Sequence, residues 1–134
     1  MDKGVKPCID CPAGVERKTT PPGPRCAAHH KAEKDRKHDA SVVRKYGLLP
    51  GEYAKLKEAQ GGKCALCQRA TGKSRRLAVD HDHKTGKVRG LLCSICNRLL
   101  GHFRDDPEAF ERGRLYLTET PYERMKAYER SPFD

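Results

Sequence analysis

Tryptophan is absent from this 134-residue chain, and Leu, Ile, Val and Phe together supply only 22 residues. Aromatic side chains make up 6%, too few for a broad stacking platform on single-stranded nucleic acid. No run of about 18 apolar residues occurs, so no segment reads as a membrane span. The opening residues, Met1 to Cys8, hold no apolar stretch of the kind a secretory leader needs, and a cytoplasmic location is the expectation. A third of the residues are charged and the formal net charge is +10. That balance ordinarily belongs to a disordered chain. What is present in excess is cysteine, seven in all. An odd number without a leader argues against a secreted disulfide framework.

The charge is uneven. Residues 1–47 carry a net +5, residues 48–104 a net +8 and residues 105–134 a net −3. The most basic stretch also holds the densest Cys/His pattern. A polyanion is the expected partner, nucleic acid before membrane.

The composition along the chain divides it. Residues 1–30 are rich in Pro, Gly and Cys, and Pro21-Pro22-Gly23-Pro24 reads as loop. From Ala27 to Tyr46 there is neither Gly nor Pro, which predicts an exposed helix ended by Gly47. Pro50 can open a second helix, with Tyr53, Leu56 and Ala59 on one face and Gly61-Gly62 at its end. Leu77-Ala78-Val79 and Val88 to Leu92 read as short strands around a polar turn. Asn97 to Phe103 predicts a short helix, Pro107 opens another, and the tail beyond Thr118 carries little signal. The expected organisation is an N-terminal zinc-binding module (1–35), connecting helices (36–62), a zinc-stapled core (63–117) and a C-terminal tail (118–134).

Two ligand sets stand out. Cys64 and Cys67 form one two-residue-spaced pair and Cys93 and Cys96 another, with 25 residues between them. Each pair places two thiols on a tight knuckle, and two knuckles complete a tetrahedron around zinc. Cys8, Cys11, Cys26 and His29 form a second set, with His30 as the alternative fourth ligand. The two sets use all seven cysteines, which accounts for the odd count. Sites filled by four protein ligands hold a fold together and leave no position for reacting water.

Asp80-His81-Asp82-His83 lies inside the loop bracketed by the knuckles, and Asn97 directly follows Cys96. A carboxylate and an amide oxygen are hard donors suited to Mg2+, and a neutral imidazole beside them can take a proton from water. That combination points to phosphodiester hydrolysis. Spacing alone leaves open which histidine is the base. On a straight strand Asp80 and Asp82 would face one side and His81 and His83 the other, so a bend is expected near His81.

Three stretches resemble the phage recombination endonuclease VII family: Lys45 to Tyr53, Gly61 to Cys67, and above all Val79 to Asn97 with Leu100-Gly101 after it. The family belongs to the ββα-metal (His-Me finger) nucleases related to the HNH group. The resemblance implies an α+β fold, a small zinc-stapled ββα-metal domain with helical flanks. It implies that Asp80 and Asn97 hold Mg2+, with Mn2+ able to substitute. It further implies that His81 is the general base, His83 an auxiliary histidine, and Cys64, Cys67, Cys93 and Cys96 the structural zinc ligands. The activity implied is cleavage of duplex or branched DNA to 5′-phosphate and 3′-hydroxyl ends, in the host cytoplasm if the protein is phage-encoded. Arg75, Arg76, Lys84, Lys87, Arg89 and Arg98 are the candidates for DNA-backbone contacts. Leu49 stands where the family has a polar residue before the helix-opening proline, so weak capping is expected there. Monomer and homodimer both stay open.

A zinc module that binds DNA or a phage protein without catalysis is the competing function, and an RNA-directed nuclease is a third. A binding module needs the cysteines but has no use for Asp80, His81 and Asn97 together, and their joint presence favours the enzyme. Structural zinc contributes about 10–16 kcal/mol of apparent binding free energy, against a whole-domain stability of about 5–15 kcal/mol. Strong chelation is therefore expected to abolish the fold, and an unchanged circular dichroism spectrum of metal-free protein would contradict that.

Overall fold

A computed structural model describes residues 6–12, 15, 17, 19 and 23–130. The elements are α1 (Ala27–Tyr46), α2 (Glu52–Ala59), β1 (Ala78–His81), β2 (Val88–Leu92), α3 (Ser94–His102), α4 (Pro107–Thr118) and α5 (Pro121–Glu129). The architecture is α+β, with β1 and β2 paired in a two-stranded sheet and α3 following directly as a ββα unit. The described residues fall into two compact units. One gathers those up to Gly62 with His81–Gly90; the other takes Lys63–Asp80 and the chain from Leu91 on.

In the first unit, α1 runs from Ala27 to the Gly47 boundary read from composition. Gly47 adopts the left-handed conformation at φ 72° and donates its N–H to the Val43 carbonyl, a conformation that costs glycine little. Local ion pairs line the exposed helix, Lys31 with Asp35 and Arg36 with Glu33. The Arg36 guanidinium holds the Glu33 carboxyl down at about 2. Only Val42 of α1 is buried. The start of α2 lacks a side-chain cap, in line with the weak capping expected at Leu49: the N-cap is Gly51, left-handed at φ 77°, and the helix opens at Glu52 rather than at Pro50. The Glu52 carboxylate accepts the Leu49 N–H at 2.7 Å, and the Asp39 carboxylate on α1 accepts the Gly51 N–H at 3.1 Å. A side chain three residues ahead and one from the preceding helix thus hold the turn that leads into α2. His38, which looks like a surface residue in the sequence, packs edge-on to buried Tyr53 with ring centres 4.5 Å apart.

The hairpin turn is closed by Asp82. Its Oδ1 accepts the N–H groups of Lys84 at 2.7 Å and Thr85 at 3.0 Å, while its own N–H bonds the Lys87 carbonyl at 2.8 Å. This is an Asx turn, and those N–H donors hold the Asp82 carboxyl below the usual carboxylate range. β1 extends two residues further than Leu77 to Val79, ending on His81.

In the second unit the core is small: Leu77, Val79, Leu91, Leu92 and Ala109 with the thiols of Cys64 and Cys96. Leu91 and Cys64 have no exposed surface. Helix α3 begins at Ser94, three residues ahead of the expected Asn97, because Cys93 is its N-cap and its sulfur accepts the Cys96 N–H. Phe103 and Phe110 meet edge to face at 5.0 Å and join the end of α3 to α4. The tail after Thr118 forms α5, opened by Thr120, whose hydroxyl accepts the Glu123 N–H. No residue of α5 is buried.

With so small a core, one leucine matters. Leu91→Ala is expected to cost about 2–5 kcal/mol. Ile95→Ala, at a side chain 70% exposed, should stay within about 0.5 kcal/mol. Denaturant unfolding of zinc-loaded protein compares the two, and equal losses would contradict this description of the core.

Candidate metal centres and active site

Cys64, Cys67, Cys93 and Cys96 converge, their sulfurs all within 4.8 Å of one another. The first knuckle is folded by the Gln68 N–H on the Cys64 carbonyl at 3.0 Å and the Cys64 N–H on the Ala70 carbonyl at 2.8 Å. The second is the first turn of α3. The Cys93 N–H reaches the Cys64 sulfur at 3.3 Å, so the knuckles are tied together by backbone as well as by side chains. Cys8, Cys11, Cys26 and His29 form the other cluster, again within 4.8 Å. Cys8 donates its N–H to the Arg17 carbonyl, Ile9 to the Pro24 carbonyl, and Arg25 pairs with Asp10, which closes this module around its thiols. His29 turns Nδ1 to the sulfurs of Cys8, Cys11 and Cys26 at 3.3, 3.5 and 3.3 Å. His30 is outside the cluster.

These donor sets fit zinc. Tetrahedral bonds of ~2.3 Å to sulfur and ~2.0 Å to nitrogen put sulfurs about 3.8 Å apart and sulfur and nitrogen about 3.6 Å apart. Cys67 and Cys93 sulfurs lie 4.0 Å apart, and those of Cys11 and Cys26 3.9 Å. The protonation pattern also calls for a cation. The backbone N–H groups of Ala70 and Arg69 hold the Cys67 thiol down at about 6. Burial opposes ionisation of Cys8, yet the N–H groups of Cys26 and Asp10 outweigh it and bring that thiol to about 6. Burial and the neighbouring sulfurs push Cys96 up to about 12 and Cys11 to about 11. Within each set, some thiols favour the thiolate and another is driven away from it. A divalent cation removes that conflict.

The remaining candidates occupy the hairpin and α3. Asp80 is 7% exposed on β1. His81, the last residue of β1, is half-buried, and His83 is exposed. The His81 ring lies 4.9 Å from that of His83 and 5.5 Å from that of Tyr46. Nothing in the sequence marks Tyr46 as a neighbour of His81 beyond its place in the Lys45 to Tyr53 stretch that carries the resemblance. Asn97 is exposed in the first turn of α3, one residue after the thiol of Cys96. The basic candidates are all exposed: Lys84 and Lys87 on the turn, Arg89 on β2, Arg98 on α3, and Arg75 and Arg76 on the loop ahead of β1.

The model of the recombination endonuclease VII family matches residues 39–119, which include both knuckles, the hairpin and α3. The chain belongs to the recombination endonuclease VII family. Two proteins of mycobacteriophages are similar over most of its length. The "Gene 59 protein" of Mycobacterium phage L5 is 48% identical over 124 residues, spanning 87% of this chain and 76% of its own. The "Gene 59 protein" of Mycobacterium phage D29 is 48% identical over 124 residues, spanning 87% of this chain and 75% of its own. Only 15 residues follow position 119, so a match of that extent runs into the N-terminal part as well. Family membership makes the chain a nuclease by descent, and DNA is the partner that such a family suggests. Among the described residues no helix is long and apolar enough to cross a membrane.

Zinc added to metal-free protein at neutral pH is expected to release at least one proton per site, because Cys11 and Cys96 hold theirs until a cation arrives. Affinity should fall as pH drops through about 6, where the thiolates of Cys8 and Cys67 protonate as well. Calorimetry in buffers of differing ionisation enthalpy counts the protons, and zinc uptake without proton release would refute the assignment.

Proposed function

We infer that the protein is a Mg2+-dependent DNA endonuclease of the His-Me finger kind, hydrolysing phosphodiester bonds to 5′-phosphate and 3′-hydroxyl ends. One observation carries this reading. β1 ends on a half-buried imidazole, His81, set directly after the buried carboxylate of Asp80, and its ring is flanked by those of His83 and Tyr46. The Asx turn supports it, because Asp82 spends its oxygen on the hairpin backbone. The turn therefore needs no cap from Asp80 or His81.

Zinc is assigned to both Cys/His clusters as a structural ion. The carboxylate of Asp80 and the amide oxygen of Asn97 are the hard oxygen donors for Mg2+ or Mn2+. Such an ion, when bound, offsets the negative charge that builds on the phosphate and the leaving oxygen. His81, as a neutral imidazole, accepts the proton of the attacking water. His83 and Tyr46 border its ring and restrict the directions in which it can turn. Arg75, Arg76, Lys84, Lys87, Arg89 and Arg98 neutralise DNA phosphates, which holds the substrate without reading its sequence. In functional terms residues 63–117 are the nuclease core, 1–35 a zinc-binding module, 36–62 the connection and 118–134 an appendage. The host cytoplasm, where phage DNA is processed, is the assigned location.

The test is cleavage of supercoiled plasmid, linear duplex and a four-way junction, with Mg2+ and with EDTA. His81→Ala is expected to lose about 10²–10⁴-fold in rate, with Asp80→Ala and Asn97→Ala strongly impaired and zinc content unchanged. Equal cutting by wild type and His81→Ala would remove the proposed base. Failure of the wild type to cut any DNA with Mg2+ or Mn2+ would favour a non-catalytic zinc module.

A further inference from the structure

The loop between Cys67 and β1 is compact and cationic. Residues 68–76 contain Arg69, Lys73, Arg75 and Arg76 and no acid. The first knuckle anchors one end of the loop, and its middle is drawn in at Gly72. That residue sits at φ +76°, and a Cβ there would lie 3.3 Å from the Leu77 backbone nitrogen, so the loop closes this tightly only around glycine. Between the loop and the start of α3 is a cavity of about 420 Å³, a volume within the roughly 300–1,000 Å³ of small-ligand sites. The four cationic residues and the hydroxyl-bearing Thr71, Ser74 and Ser94 line it, and none of its eleven lining residues is acidic. Arg69, Lys73 and Arg75 are exposed, and no ion pair among the described residues engages them.

A concave surface that gathers cations and hydroxyls and excludes carboxylates suits a phosphate. Guanidinium groups bind it through paired hydrogen bonds and an ammonium as a point charge. We propose that this cavity is a subsite for a backbone phosphodiester of the DNA substrate other than the scissile one, with Arg69, Lys73 and Arg75 as its ligands. It rests on the reading that DNA is the substrate. Ser94, on the cavity wall, and Asn97 are three residues apart on α3. A phosphate seated here is thus held at a fixed offset from the amide assigned to catalysis. Arg69 and Lys73 carry no motif that distinguishes them in the sequence; the fold of the loop brings them to one cavity.

The experiment is binding of a labelled DNA duplex to zinc-loaded protein without Mg2+, over a series of salt concentrations. The combined variant Arg69→Gln, Lys73→Gln and Arg75→Gln is expected to bind about tenfold more weakly or worse at low salt. Its salt dependence, log K against log salt, should be shallower by about two to three, near 0.9 per lost phosphate contact. Arg112→Gln, Arg114→Gln and Lys126→Gln together remove the same charge from α4 and α5 and should flatten the slope by less than one. Arg69→Lys with Arg75→Lys should keep the wild-type slope. If the loop variant loses zinc or fold, Arg75→Gln alone serves, with a slope change of about 0.9. A loop variant indistinguishable from the α4–α5 control would overturn the subsite. Because no cleavage is measured, that result leaves the nuclease reading standing. A flattened slope in a protein that never cuts would instead retain the subsite and discard the nuclease.

Discussion

Crowding of sulfur is the constraint on which this molecule is built. Four thiols in one cluster, and three with an imidazole in the other, are brought within 4.8 Å. Burial and mutual repulsion oppose their joint ionisation. Without a cation the arrangement is in conflict with itself; with one, the same crowding becomes a source of order. The alternative would be a larger apolar core, and the chain does not have the residues for it. Four of the eleven buried apolar residues among those described are themselves cysteines. A zinc ion in such a cluster would stand where other small domains place leucine and phenylalanine, and would fix direction as well as proximity because its bonds have a set geometry.

That geometry reaches the chemistry by short covalent paths. Cys93 caps α3 with its own sulfur, so the thiol available to a metal is also the one that starts the helix. Asn97 follows the last ligand by one residue. On the other side, the chain leaves the core through Leu77 and Val79, and β1 ends on His81, where Asp82 turns the chain back. Each of the three residues assigned to catalysis lies within a few residues of something rigid: a thiol, a buried leucine or a closed turn.

Much of this was legible in the sequence. Spacing of two residues within each cysteine pair marked the knuckles, and the absence of Gly and Pro from Ala27 to Tyr46 marked α1. What stayed hidden has physical reasons. The early start of α3 was missed because cysteine is not a habitual N-cap, and only its place in the cluster gives its sulfur that role. The bonding of the turn ahead of α2 is not readable locally, because one of its acceptors, Asp39, comes from another helix. Helix α5 carries only a weak signal: Thr120 and Glu123 have the spacing of a capping box, but none of its residues is buried to make an apolar face decisive. Tyr46 beside His81 is a contact between residues far apart in the chain, and pattern alone could not pair them.

The short link from Cys96 to Asn97 has one more implication. Successive residues of a helix are rotated by about 100° around its axis. A single insertion between the two would swing the amide away from its present bearing, though every side chain in the region kept its identity. On the proposed assignment, the interval between the Cys96 sulfur and the Asn97 amide matters as much as the identity of either residue, and a change of length there would separate the two.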